Sequence, residues 1–144
     1  MAQHFLLSSK ARTISSREVA QLSDEEAFDL LCELRWGSKE TVVCPKCGVQ
    51  HKVYWIGTRK QWRCKHCHHT FSVTSGTIFA NRKLSFQTYL YAIIEWVNAV
   101  KGISSLQLAR NTGINPRTAF VLSHKFRKAL LESRDMTPLS GVVD

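Results

Sequence analysis

Four cysteines stand in two pairs, Cys44-Pro45-Lys46-Cys47 and Cys64-Lys65-His66-Cys67, and sixteen residues separate Cys47 from Cys64. Two residues between sulfurs let both members of a pair reach one ion, and a second pair at this distance closes a tetrahedral four-thiolate shell. A closed shell has no position for water or substrate. The expected ion is therefore a structural Zn²⁺ held by Cys44, Cys47, Cys64 and Cys67. A redox dithiol or two disulfides are the competing chemistries, and a basic chain with the marks of a reducing compartment favours the metal. The fifth cysteine, Cys32, reads as a small buried apolar group, because the shell is already full.

A second chemistry is cationic. The formal net charge of the 144 residues is +9, and it is unevenly spread. Residues 1–38 carry four Lys/Arg against six Asp/Glu, residues 39–83 nine against Glu40 alone, and residues 101–134 seven against Glu132. A surface charged only for solubility would mix the signs. An acidic start followed by two basic segments is the footprint of a protein that meets a polyanion. In the first basic segment the candidate contacts are Lys46, Arg59, Lys60, Arg63 and Lys65. Tyr54, Trp55 and Trp62 lie among them with faces on which bases can stack, although in so small a module aromatics serve first as core. His66, His68 and His69 crowd the second cysteine pair and read as surface residues near phosphate.

The remaining sequence must hold these groups in place. Residues 1–20 show no clear period. Ser23-Asp24-Glu25-Glu26 is a capping box, in which Ser23 and Glu26 satisfy each other's orphan backbone donors. Behind it Phe28, Leu31 and Leu34, with Cys32 and Trp36 beside them, give an amphipathic stripe that Gly37 ends. Asp24, Glu25 and Glu26 sit where a helix dipole favours negative charge, a structural role ahead of acid–base chemistry. From Thr41 to Phe79 the pattern shortens to β-like pieces: Val42-Val43, Val53 to Ile56, Gln61 to Arg63, and Thr70 to Val73. Gly57 to Lys60 is the expected hairpin turn. A segment this small buries too little apolar surface to fold unaided. Zinc binding, worth roughly 10–16 kcal/mol in small zinc modules, makes up the deficit.

After Asn81-Arg82-Lys83 the period is helical. Phe86, Tyr89, Leu90, Ile93, Ile94, Trp96 and Val97 line a helix expected from near Ser85 to Lys101-Gly102. Ser104 or Ser105 opens a second helix with Leu106, Leu108 and Ala109, closed by Gly113. Asn115 caps a third, with Pro116 at its first position. Its expected buried face is Ala119, Leu122, Phe126, Ala129 and Leu130, which leaves Arg117, Val121, His124 and Lys128 outward, flanked by Thr118, Lys125 and Arg127. Two short helices across a glycine-containing turn, backed by a longer one, read as a helix-turn-helix, whose last helix enters the major groove. Arg117 and Thr118 are then placed for base edges, with Lys125, Arg127 and Lys128 for phosphates. A solvated basic face on a structural helix is the plainer alternative.

These motifs resemble the N-terminal part of the ISXO-like group of bacterial insertion-sequence transposases. The resemblance rests on Cys44-Pro45-Lys46-Cys47-Gly48, Trp62-Arg63-Cys64-Lys65-His66-Cys67 and Phe71-Ser72-Val73-Thr74-Ser75-Gly76-Thr77-Ile78-Phe79. It continues through Lys101-Gly102-Ile103-Ser104-Ser105, Gln107-Leu108, Thr118-Ala119 and His124-Lys125-Phe126-Arg127, and spans roughly residues 22–143. Full-length members go on to a ribonuclease-H-like domain whose clustered carboxylates hold Mg²⁺ for strand transfer. Here Asp144 resembles only an acidic position at the start of that domain, and the other acids are scattered.

The expected fold class is α+β: an N-terminal helical segment (1–38), a small β zinc ribbon (39–80), an all-α helix-turn-helix domain (81–136), and the start of a catalytic domain (137–144). The expected function is the zinc-containing, sequence-specific DNA-binding portion of a transposase, its duplex the terminal inverted repeats of a mobile element. A zinc-dependent regulator or protein adaptor is the alternative, and a chain that itself cleaves or joins DNA is a third reading. Mg²⁺ enters only with a catalytic domain. Partners are double-stranded DNA, with a homo-oligomer or full-length transposase beside it. No apolar run reaches the roughly 18 residues of a spanning helix, so no membrane is expected and the location is read as cytoplasmic.

Overall fold

The computed structural model describes residues 14–50, 52–99 and 101–134. The expectations for residues 1–13 and 137–144 lie outside them. The described residues open on two capping boxes. Ser15 and Glu18 open α1 (Ser16–Gln21), and Ser23 and Glu26 open α2 (Asp24–Trp36), which Gly37 ends at φ +81°. The first helix falls inside the stretch read as patternless. One turn and a half is too short to show a period, although its Ser-x-x-Glu signature was present. Along α2 the buried side chains are Ala27, Phe28 and Cys32, while Leu34 is 64 % exposed, a correction to the expected stripe.

A three-stranded antiparallel sheet follows, in the order β1 (Val53–Ile56), β2 (Gln61–Cys64), β3 (Thr70–Phe71). A 3₁₀ turn over Gly57–Arg59 joins the first two strands, with Lys60 left-handed at φ 49°. Val42-Val43 makes only an isolated bridge, Val43 to Gln50, and Ser72-Val73 leaves the sheet for a turn. Period 2 sends Trp62 to the core, while Tyr54, Arg63 and Thr70 pair in register across the other face.

Three further helices follow among the described residues: α3 (Phe86–Asn98), α4 (Ser105–Thr112) and α5 (Pro116–Ser133). Ser85, Ser104 and Asn115 cap them, Asn115 as expected and Ser104 rather than Ser105 for the second. The first ends at Asn98, short of Lys101-Gly102. Leu106 and Leu130 point outward at 59 % and 57 % exposure, and Ser123 takes a buried place on α5 beside Ala119, Leu122 and Phe126. Both leucines lie near an element end, where fewer neighbours surround the helix.

Among the described residues there are two apolar cores. The first gathers Val19, Phe28, Cys32, Val42, Trp62, Phe71, Val73, Phe86 and Leu90. The second gathers Tyr89, Ala92, Leu108, Ala109, Ala119, Leu122 and Phe126. Helix α3 serves both, because 86 and 90 are four apart on one face while 89 and 92 lie on another. Aromatic rings bind the first core: Phe28 stacks on Trp62 at 5.7 Å, Trp36 meets Trp62 edge-on at 5.2 Å, and Phe28 tilts against Phe86 at 5.0 Å. Each such pair adds about 0.5–1.5 kcal/mol beyond area burial.

One polar tie joins α2 to α3, and another fixes α2 onto the ribbon. The N–H groups of Phe86 and Gln87 donate to Asp24 Oδ1 at 2.6 and 3.2 Å, so the first residue of α2 caps α3. The Arg35 guanidinium donates to the carbonyls of Ser72, Val73 and Ser75. Gly76, at φ +73°, lets that loop pass within reach of Pro45 and Arg35. The mixed helix and sheet architecture is the α+β class that the sequence indicated.

Candidate metal centre and nucleic-acid interface

The two knuckles are built alike. The N–H of Cys44 donates to the Val49 carbonyl at 3.2 Å, and the N–H of Cys64 to that of His69 at 2.9 Å. Each loop turns through a left-handed residue four positions after its first cysteine, Gly48 at φ 71° and His68 at φ 55°. Histidine is among the few side chains that visit this region with any frequency. That accounts for His68 without making it a ligand.

The knuckles bring the four sulfurs of Cys44, Cys47, Cys64 and Cys67 within 4.8 Å of one another. Cys44 Sγ lies 3.6 Å from Cys67 Sγ, and Cys47 Sγ lies 3.6 Å from Cys64 Sγ. Thiolates about 2.3 Å from a central zinc stand about 3.8 Å apart in a regular tetrahedron. A disulfide would bring the sulfurs to about 2.05 Å, and all five cysteines are free. The donor set and its spacing fit structural Zn²⁺, and they do not fit the disulfide alternative.

Electrostatics favours ligand chemistry at the first cysteine of each knuckle. Backbone N–H groups of Cys67 and His66 pull Cys64 down to about 7. Cys44 is also lowered: burial works against it, but the N–H groups of Cys47 and Lys46 prevail. At Cys47 the Val49 N–H favours the thiolate, yet burial and three neighbouring sulfurs outweigh it and push the thiol to about 12. Four thiols this close cannot all ionise without a cation among them.

The cationic candidates divide by location. On the ribbon, Lys46, Arg59, Arg63 and Lys65 are exposed. Lys60 is half-buried, 3.8 Å from Glu25 of α2. On α5, Arg117, Thr118, His124, Arg127 and Lys128 are exposed, and Lys125 is half-buried. Lys128 makes an exposed ion pair with Glu132 at 3.6 Å, which costs little to exchange for a phosphate. The turn Gly113 to Asn115 delivers Arg117 at the start of α5, with its N–H held by Asn115 Oδ1 at 2.9 Å.

One residue here is absent from the sequence reading, and a second is read there first as core. Phe120 is 56 % exposed on α5, its ring 4.4 Å from that of His124. Trp55 is 46 % exposed at the edge of the ribbon. Phe120 breaks the apolar-in, polar-out rule by which the helix was phased. Trp55, a candidate stacking face read first as core, shares the core-side face with Trp62 opposite it and is left open because β1 is an edge strand.

Comparison with known proteins bears on the ribbon first. Residues 22–70 match the transposase zinc-ribbon domain of the IS1595 type. The match begins at α2 and not at the first cysteine, and the fold gives the reason: α2 supplies Phe28 and Cys32 to the core that Trp62 and Phe71 share. Over 111 residues the chain is 24 % identical to an uncharacterized protein in transposable element ISH50 of Halobacterium salinarum. That alignment covers 76 % of this chain and 36 % of the relative, so the chain spans about a third of its relative's length. No solved structure gives a significant match. The transposase-type zinc ribbon read from the motifs is therefore present. Among the described residues, no helix is long and apolar enough to cross a membrane.

Proposed function

We propose that this chain, whose residues 22–70 form a transposase-type zinc ribbon, is the DNA-binding portion of a transposase and recognises the terminal inverted repeats of a mobile element. The observation that carries it is a four-thiolate metal site inside that ribbon, joined through α3 to a helix with an exposed cationic face. Cys44, Cys47, Cys64 and Cys67 would hold Zn²⁺, which supplies fold stability and no reactive position. In this reading α4 and α5 form a helix-turn-helix. The first turn of α5 presents Arg117 and Thr118 to base edges. Lys125, Arg127, Lys128 and His124 lie along the phosphates, and Arg59, Lys60, Arg63 and Lys65 extend the contact over the ribbon. Mg²⁺ has no part unless a catalytic domain is attached.

The test is titration of zinc-loaded protein against element-end duplex and scrambled duplex at several salt concentrations. Specific binding with a steep salt dependence, about −0.9 in log–log slope per neutralised phosphate, is expected. Equal affinity for both duplexes removes the specificity, and no affinity for either removes the reading.

A second reading, a zinc-dependent regulator or adaptor without transposase activity, draws on one observation. An apolar groove of about 210 Å³, lined by Phe79, Trp96, Val97, Phe126 and Leu130 among others, lies where α3 and α5 meet. A second copy of the chain or a longer transposase seated there, with DNA left unbound, is the outcome that would favour it.

A further inference from the structure

We infer that the cleft between α2 and the β1–β2 hairpin holds one unpaired nucleotide of a DNA strand, its base on Trp55 and its phosphate between Lys39 and Lys60. The inference rests on the DNA-binding reading above and adds a second, structurally different contact to it.

Two adjoining hollows of about 160 and 180 Å³ share Phe28, Lys39 and Trp55 as walls, which makes them one cleft. Its floor is aromatic. The Phe28 and Trp55 centroids are 5.6 Å apart, and Trp55 lies 4.6 Å from Trp62. Trp62 and Phe28 are buried, so the core fixes their positions, while Trp55 keeps 46 % of its surface open. The open ring leans at a tilt on two buried rings, at 40° to Phe28 and 54° to Trp62, and is not a loose surface side chain. At Gly57 an added Cβ would sit 3.4 Å from Trp55 Nε1, so the turn lies close against the indole and limits its swing.

The mouth of the cleft is charged on both sides. Lys39 pairs with Asp29, and Lys60 lies 3.8 Å from Glu25. Both ammonium groups also stand over the Phe28 ring, at 5.7 and 5.9 Å. The carboxylates are largely in water, so each pair contributes little and can be exchanged for a phosphate at small cost. A half-exposed indole backed by buried aromatic rings, with a cation on either side, suits a nucleotide: the base stacks on the indole and the phosphate is neutralised. In duplex DNA every base is already stacked and paired. The cleft can therefore take a base only from an overhang, a frayed end or a flipped position. Glu25 and Asp29 also suit a second class of occupant, a methylated ammonium in an aromatic cage. Against it, Lys39 and Lys60 already hold the positions over Phe28 that such a cation would need.

The experiment uses zinc-loaded full chain and three probes: a blunt duplex, the same duplex with a short thymidine overhang, and the duplex with an abasic overhang of equal length. The thymidine overhang is expected to bind about tenfold tighter than the abasic one, the size of one base stack, and the abasic overhang more tightly than blunt duplex through its phosphates alone. Trp55→Ala should erase that preference and Trp55→Phe keep most of it, while blunt-duplex affinity stays unchanged in both. Trp55→Ala also removes packing, so Lys39→Gln, altered only at the mouth and outside the residues proposed for duplex contact, is measured beside it with zinc content as the check of folding. It should lose more affinity for the thymidine overhang than for blunt duplex.

If abasic and thymidine overhangs bind alike, phosphates alone account for the contact and the inference is overturned. If blunt and overhang duplexes bind alike, it is overturned while the DNA-binding reading stands. If no duplex binds, both fall. A trimethyl-lysine peptide that displaces the overhang at equal concentration assigns the cleft to a cation and overturns it as well.

Discussion

Two sulfurs show how far position decides chemistry. Burial pushes the Cys32 thiol up to about 11, whereas two backbone N–H groups bring Cys64 to about 7. The first is packing material in the core that the second helps to close. Cys64→Ser is expected to abolish zinc retention, read by elemental analysis of reduced protein. Cys32→Ser should keep the zinc and lose about 1–3 kcal/mol in denaturant unfolding, the cost of burying a hydroxyl without a partner. Bound zinc surviving Cys64→Ser would sink the ligand assignment. Ser123 gives a reverse case. Its hydroxyl is buried, and no partner meets it among the described residues. Ser123→Ala should therefore stabilise by about 1 kcal/mol, and a loss of stability would mean that the hydroxyl is bonded after all. The cysteines were legible in the sequence because their meaning lies in spacing. Ser123 was not, because a polar residue one step from the apolar stripe looks like the stripe's edge.

Elements announced themselves in the sequence where they carry end signals. Ser23, Ser85, Ser104 and Asn115 each cap the helix expected of them. What the caps do not tell is partnership between helices. Asp24 was read as a dipole-favoured residue of α2, yet its carboxylate accepts from the first N–H groups of α3. Asp24→Ala should cost about 1–2 kcal/mol, and Asp24→Asn, which keeps an acceptor oxygen, appreciably less. Equal losses in the two variants would show that charge and not capping geometry matters there. On α5 the proposed division of labour is open to a direct comparison. Arg117→Ala should narrow the affinity gap between element-end and scrambled duplex. Lys128→Ala should weaken both alike and lower the salt slope by about 0.9, as one phosphate contact would. Identical behaviour of the two variants argues against reading by the first turn.

At the scale of the whole molecule, α3 joins the zinc ribbon to α4 and α5, and Phe79 from the segment after the ribbon reaches Phe126 beside it. One face of α3 gives Phe86 and Leu90 to the core beneath the ribbon, and another gives Tyr89 and Ala92 to the core of α4 and α5. The sequence showed α3 as a continuous apolar stripe, and a stripe that broad is the mark of a helix covered on more than one side. Sequence alone could not divide it between two neighbours. The division has a consequence for metal removal. Without zinc the ribbon loses the contribution that offsets its small core. Phe28 and Trp62 then no longer hold the α3 face that carries Phe86. Chelation should therefore raise amide exchange in α3 and, through Tyr89 and Ala92, also in α4 and α5, which contain no ligand. Duplex affinity should fall even where the contacts tested lie only on α5. If chelation frees the ribbon amides while those of Leu108, Ala119 and Leu122 keep their protection, the two cores fold independently and α3 does not transmit the loss.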